Sequence, residues 1–159
     1  YAERQFTNLV DTGEIICQPF WKFPETITPL RYTHSYGRSL YQAEERVNNL
    51  EHEMLLSFTA QDNIKWWHRN IARTGFCINA YTKHYPDFIV RTQSERIVLI
   101  EVKGDYLDNE PTRKKLASSR IWQNRAGDAY RYFMVFQNNA PERDGAYSLN
   151  EFPEILKKL

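Results

Sequence analysis

Apolar positions along this chain follow two rhythms. From Tyr41 onward, Val47, Leu50, Met54 and Phe58 recur at i, i+3, i+7 and i+11, one stripe of a helix with Leu55 at its flank. Glu44, Glu45 and Arg46 lead into that stripe. Shorter runs with strand character come next. Ile64-Lys-Trp-Trp opens the first, Phe76 to Thr82 after Gly75 forms the second, and Tyr85 to Arg91 forms the third. Thr92-Gln-Ser-Glu is polar and turn-like, and Arg96 to Lys103 carries the strongest strand pattern in the chain. Helical spacing returns from Glu110 to Ala126, with Pro111 suited to a first turn and Gly127 to the position just past the end. Leu116, Ser119, Ile121 and Trp122 would line the inner side of that helix. Tyr130 to Gln137 reads as a last, aromatic-rich strand, and Pro153 to Leu159 as a short terminal helix. The order helix, strands, helix, strand predicts an α/β sandwich built on a mixed sheet.

The first stretch, to about Leu40, is different. Pro19, Pro24 and Pro29 alternate with Phe20, Trp21 and Phe23, a density of proline that breaks helices. Glu14 to Cys17 is its best strand candidate. We expect residues 1–38 to be an extension packed on the core, or the end of a preceding domain, and 39–159 to be the main domain. A first residue other than Met is read as the sign of a piece cut from a longer protein. At 159 residues the chain suits one folded domain with a sizeable core. Its 42% apolar and 26% charged residues are ordinary for a globular protein. No apolar run approaches the roughly 20 residues that span a bilayer, and no apolar leader is visible, so a cytoplasmic protein without a membrane partner is expected. Cys17 and Cys77 lie far apart without metal-ligand spacing, as free thiols in a reducing compartment do.

Chemistry concentrates in Ile97-Val-Leu-Ile-Glu101-Val102-Lys103. Alternation along a strand puts Glu101 and Lys103 on one side, about 7 Å apart. Charges at the end of so apolar a strand are costly unless they pair or bind something. The preceding strand offers Pro86-Asp87, and a short turn would bring Asp87 beside Glu101. Two carboxylates pressed together repel, and a divalent cation relieves the repulsion. Mg²⁺ suits such a site, because it takes one or two carboxylates, a carbonyl (here that of Val102), waters and phosphate oxygens. The plain alternative is a surface salt bridge between Glu101 and Lys103 beside a turn-forming Pro-Asp. Spacing alone leaves both readings open.

The run Tyr85-Pro-Asp-Phe-Ile-Val, followed by Ile100-Glu-Val-Lys-Gly-Asp, resembles the PD-(D/E)xK nuclease superfamily. Within it, the chain is most similar to the C-terminal endonuclease domain of type III restriction enzymes and related DEAD/DEAH-type helicases. Val47-Asn-Asn-Leu-Glu51, Ile64-Lys-Trp-Trp-His-Arg-Asn70 and the Lys115 to Ala126 helix with Trp122 carry that narrower likeness, which covers Ser39 to Gln137. The resemblance implies a restriction-endonuclease-like αβββαβ core and Mg²⁺-dependent hydrolysis of DNA phosphodiester bonds, with Mn²⁺ able to substitute. It assigns Asp87, Glu101 and the Val102 carbonyl to the metal, and Lys103 to the attacking water and the pentacovalent phosphate. It offers Glu51, on the first helix, as a fourth member reaching the metal through water. Periodicity by itself does not choose between Glu51 and Glu53. The implied partners are double-stranded DNA, an upstream helicase or translocase domain that would supply ATP-driven movement, and a modification methyltransferase subunit.

Weaker DNA-contact candidates are Lys65, Trp67, His68 and Arg69, a segment that interleaves cations with aromatics as phosphate- and base-binding segments do. Core tryptophans are the alternative there. Lys115 and Gln123 on the second helix are candidates of the same rank, with a solvated helix face as the alternative. Asp105 fits an outer turn better than the cleft. The chain lacks a G-x-x-x-x-G-K-[ST] loop, zinc-type Cys/His spacing and a serine in a nucleophile elbow. The chain therefore holds no ATPase motor, and the resemblance implies that ATP use belongs to a separate one. Two rival classes stay open: a nuclease-like fold that binds DNA or assembles without catalysis, and an interaction domain whose aromatic N-terminal stretch docks a partner.

Overall fold

The computed structural model describes residues 1–15, 20–25 and 34–159. Helix α1 (Ala2–Asp11) opens the chain, and α2 (Asn49–Thr59) precedes strand β1 (Ile64–Arg69). A two-residue ladder, β2 (Ile78–Asn79) and β3 (Lys83–His84), stands apart from the main sheet. Then come β4 (Phe88–Thr92), β5 (Ile97–Lys103), a 3₁₀ turn (Asp105–Leu107), α3 (Glu110–Ala126), β6 (Tyr130–Phe136), β7 (Ala146–Ser148) and α4 (Phe152–Leu156). The five-stranded sheet has the order β1-β4-β5-β6-β7. Its first three strands are antiparallel neighbours, while β6 and β7 run parallel to β5. The architecture is therefore α/β, a mixed sheet flanked by helices.

Strand alternation builds a core on each face. Phe88, Val90, Val98 and Ile100 point toward Met54, Leu55 and Phe58 of α2 and Phe152 and Leu156 of α4. Ile89, Leu99, Tyr132 and Met134 point the other way, toward Leu116 and Trp122 of α3. Because β4, β5 and β6 are covered on both sides, they read as nearly continuous apolar runs in the sequence. Glu101 and Lys103 share parity with Leu99, so they rise on the α3 face.

Several elements depart from expectation. The stripe from Tyr41 becomes helical only at Asn49, because Asn48 caps the helix: its Oδ1 accepts from the Glu51 N–H at 2.8 Å, and Glu51 Oε2 accepts from the Asn48 N–H at 3.0 Å. Val47 is buried from just outside the helix. In α3, Asn109 is the cap and Pro111 sits in the first turn. Ser118 is buried there instead of Ile121, which is half-buried. Gly127 ends α3 at φ 104° and ψ 173°, a conformation reserved for glycine. Strand β7 and helix α1 lie outside the elements expected from the sequence. Of the expected Glu14–Cys17 strand, Glu14 and Ile15 form a bend, and the remainder, with Cys17, lies outside the described residues, as do Pro19 and Pro29. Parts of segment 1–38 pack on the rest: Val10 is buried, Trp21 and Phe23 lie against His68, and Arg125 pairs with Asp11 at 2.5 Å.

The expected strand from Phe76 to Thr82 shrinks to Ile78–Asn79 because Asn70 takes over its backbone. Asn70 Oδ1 accepts from the Phe76 N–H at 2.8 Å, and its amide donates to the carbonyls of Phe76 and Pro86 at 2.9 and 2.8 Å. The Asn70 N–H also donates to the Asp87 carbonyl at 2.8 Å, so one buried side chain and its backbone fix the approach to Asp87. Gly75 makes this possible: a Cβ there would collide with Asn70 Oδ1 and lie 2.8 Å from the Ile71 carbonyl. Gly75→Ala should therefore cost about 1–3 kcal/mol. Urea unfolding checks this, and a midpoint equal to the parent's would remove Asn70 as the clamp.

Candidate active site

Asp87 is the residue before β4, and the register pairing Phe88 with Ile100 sets it opposite Glu101. Cross-strand neighbours of this kind have Cβ atoms about 4.5–5.5 Å apart. Asp87 Oδ2 accepts from the Val102 N–H at 2.7 Å, which ties the carboxylate to the strand carrying its partners. Burial, and then the Glu101 charge, push the Asp87 carboxyl up from 3.8 to about 8; the Val102 hydrogen bond and Lys103 offset this only in part. Glu101 is only 3% exposed. Its Oε1 pairs with Lys103 Nζ at 2.5 Å. Its Oε2 is buried and accepts no hydrogen bond among the described residues. The salt bridge is present, but it joins a buried carboxylate to a half-buried lysine, and one carboxylate oxygen is left unsatisfied.

Two further groups reach Glu101 from other elements. Lys115 of α3 brings Nζ to 3.7 Å from Oε1. His84 of β3 sets Nε2 3.9 Å from Oε2 and makes a 2.8 Å hydrogen bond with the Tyr132 hydroxyl. Burial lowers the His84 imidazole to about 4, against the pull of Glu101, so it is neutral at physiological pH. Burial also drives the Tyr132 phenol well above 10, with Glu101 adding to the effect. His84 and Tyr132 were not foreseen. Neither lies in a recognisable motif, and each meets Glu101 only through the tertiary fold.

No protein-family model, curated protein or solved structure matches this chain. The reading of the site therefore rests on its own geometry. Glu51 is half-buried near the cluster, its charge adding to the upward push on Asp87, whereas Glu53 is exposed. Glu51 Oε2 is shared between the helix cap and Arg69 Nη2, the latter at 3.4 Å.

The expected DNA contacts divide. Trp67 is fully buried and donates Nε1–H to the Gly37 carbonyl at 2.8 Å, so it belongs to the core. His68 is buried against Trp21, Phe23 and Tyr41, and burial lowers it to about 4, so it neither faces DNA nor carries charge. Gln123 is also structural: its Oε1 accepts from the Tyr132 N–H at 2.8 Å and from Arg120 at 2.9 Å. Lys65 is exposed and pairs with Glu95 at 2.6 Å, and Arg69 is committed to Glu51. Asp105 holds the loop after β6 through the N–H groups of Asn138 and Asn139, as an outer turn residue should. Cys77 is a free, half-buried thiol. No helix among the described residues is long and apolar enough to cross a membrane.

An open groove of about 830 Å³ lies between the start of α2 and the end of β5, on the sheet face opposite Glu101 and Lys103. Arg46, Asn48, Val102, Gly104 and Gln137 line it. Among the described residues, no group of three or more His, Cys, Asp or Glu side chains is arranged to hold a metal by itself. Structural zinc requires such a cage; Mg²⁺ does not, since it keeps waters and takes one or two carboxylates with substrate phosphate. The unsatisfied Glu101 Oε2 and the raised Asp87 opposite it fit a hard divalent cation.

Proposed function

We propose that this chain is a Mg²⁺-dependent DNA endonuclease domain with a restriction-endonuclease-like core. The observation that carries the reading is half-buried Asp87 opposite buried Glu101, two cross-strand carboxylates with one Glu101 oxygen unsatisfied and a lysine alongside. A protein holds so unfavourable a pair where a cation is to be bound. The antiparallel β1-β4-β5 unit, the α3 crossover to a parallel β6 and a helix before the first strand agree with the αβββαβ order.

Asp87 and Glu101 would hold the ion, with the Val102 carbonyl as a further ligand and Glu51 acting through water. When bound, Mg²⁺ supplies a nucleophilic water at neutral pH and neutralises charge on the scissile phosphate. Lys103 orients the attacking water and stabilises charge on the phosphate as it becomes pentacovalent. His84, held by the Tyr132 hydroxyl, faces Glu101 as a neutral group, so the charge of the site is left to the lysines and the ion. Val102 keeps Asp87 turned toward Glu101.

The chain has no phosphate-binding loop of its own, so we assign ATP-driven movement to an attached helicase or translocase, as in type III restriction systems, and sequence recognition to a methyltransferase subunit. The domain with Mg²⁺ or Mn²⁺ should convert supercoiled plasmid to nicked and linear forms, and EDTA should stop it. Cleavage that continues in EDTA would rule out the metal mechanism. DNA binding without cleavage, unchanged by loss of both carboxylates, would instead support a silent binding module.

A further inference from the structure

We infer that Lys115 is a second cationic residue of this active site, binding a non-bridging oxygen of the DNA phosphate beside Lys103; the inference rests on the nuclease reading above. Lys115 lies on the inner stripe of α3, between buried Thr112 and Ser119 and next to buried Leu116. A lysine in such a position is costly unless it is paired. Its carboxylate partner is Glu101, but Oε1 of that residue is already held by Lys103 at 2.5 Å, and Lys115 stands off at 3.7 Å. The ammonium has three donors, and this contact is too long to satisfy any of them as a hydrogen bond. With 35% of its side chain exposed, Lys115 can meet a solute entering the cleft.

Three other cations of α3 are committed elsewhere: Lys114 pairs with Glu110 at 2.7 Å, Arg120 with Asp144 and Arg125 with Asp11. Arg113 is as loosely held as Lys115, 3.9 Å from Asp108, but it is directed at Asp108 and not at Glu101. Charge balance points the same way. One divalent ion held by Asp87 and Glu101 would neutralise them, which would leave the two lysines against the two negative charges of a pentacovalent phosphodiester. Lys103 alone would leave that charge half-matched.

The test uses the intact chain and a short DNA duplex, with Ca²⁺ in place of Mg²⁺ to hold the complex uncut. Dissociation constants are measured across a salt series for the parent, Lys115→Met, Lys115→Arg and Lys114→Met. Lys115→Met should bind several-fold more weakly and lower the slope of log affinity against log salt by about one. Lys115→Arg should restore the slope, and Lys114→Met should leave it unchanged. With Mg²⁺, single-turnover cleavage by Lys115→Met should fall at least about tenfold beyond the loss in binding. A parental slope and rate in Lys115→Met would overturn the proposal, leaving Lys115 only a tie between α3 and β5. If the parent binds DNA without cutting, and the slope still falls, the phosphate contact stands and the nuclease reading fails. If the parent neither binds nor cuts, both fall.

Discussion

Asp87→Asn is expected to make the metal-free protein more stable at alkaline pH and to remove its response to Mg²⁺. Burial and Glu101 raise the Asp87 carboxyl to about 8, so between its ordinary value of 3.8 and about 8 the folded chain holds a proton that the unfolded chain has lost. Stability of the metal-free parent therefore declines as pH rises through that window, and the full penalty is present above about pH 8. Asparagine can still accept the Val102 N–H but carries no charge. At about 1.4 kcal/mol per unit, reduced for partial solvent access, the variant should gain about 2–3 kcal/mol at pH 8.5. The gap should narrow steadily toward pH 5. Urea unfolding at several pH values measures it. His68 and His84, both lowered to about 4, weaken the protein as pH falls below about 6.5, but they do so equally in parent and variant. Mg²⁺ should raise the parent's midpoint at pH 8.5 and leave the variant's unmoved. A gap that does not change with pH would mean that Asp87 is not strained.

Lys103→Met should lower the cleavage rate by about 10²–10³-fold, the usual cost of losing one group aimed at transition-state charge. Its effect on metal affinity should have the opposite sign. In the metal-free protein, Lys103 Nζ sits 2.5 Å from Glu101 Oε1 and competes with any incoming cation. Removing it frees that oxygen, so Mn²⁺ should bind more tightly, by several-fold in a calorimetric titration. Slower cleavage with tighter metal separates a role at the phosphate from general damage, which would weaken both. Equal cleavage by Lys103→Met and the parent would remove this lysine from the mechanism.

The parts of the site that the sequence made legible are those set by local geometry. Period-two alternation put Glu101 and Lys103 on one face, and the turn at Thr92–Glu95 brought the start of β4 opposite the end of β5. The burial of Glu101 was not legible, because the cover comes from α3. The same holds for Lys115 and His84, whose meeting with Glu101 depends on a helix crossover and on a two-residue ladder too short to show a period. The segment from Ile64 to Arg69 misled for a definite reason. Trp67 and His68 alternate onto opposite faces of the sheet, yet both are buried, because Phe58 and Phe88 cover the first and Trp21, Phe23 and Tyr41 the second. Interleaved aromatics and cations then resemble a nucleic-acid surface while serving the core. Helix α1 was overlooked because the prolines that break helices begin only after it, and β7 because three residues carry no pattern.

The central claim is that Asp87 and Glu101 together hold a divalent cation, and Mn²⁺ titration followed by electron paramagnetic resonance, with a DNA duplex present, tests it most directly without needing an attached motor. The account predicts that Mn²⁺ bound by the parent is lost in both Asp87→Asn and Glu101→Gln. Undiminished Mn²⁺ binding in the two variants, or none in the parent, would contradict it.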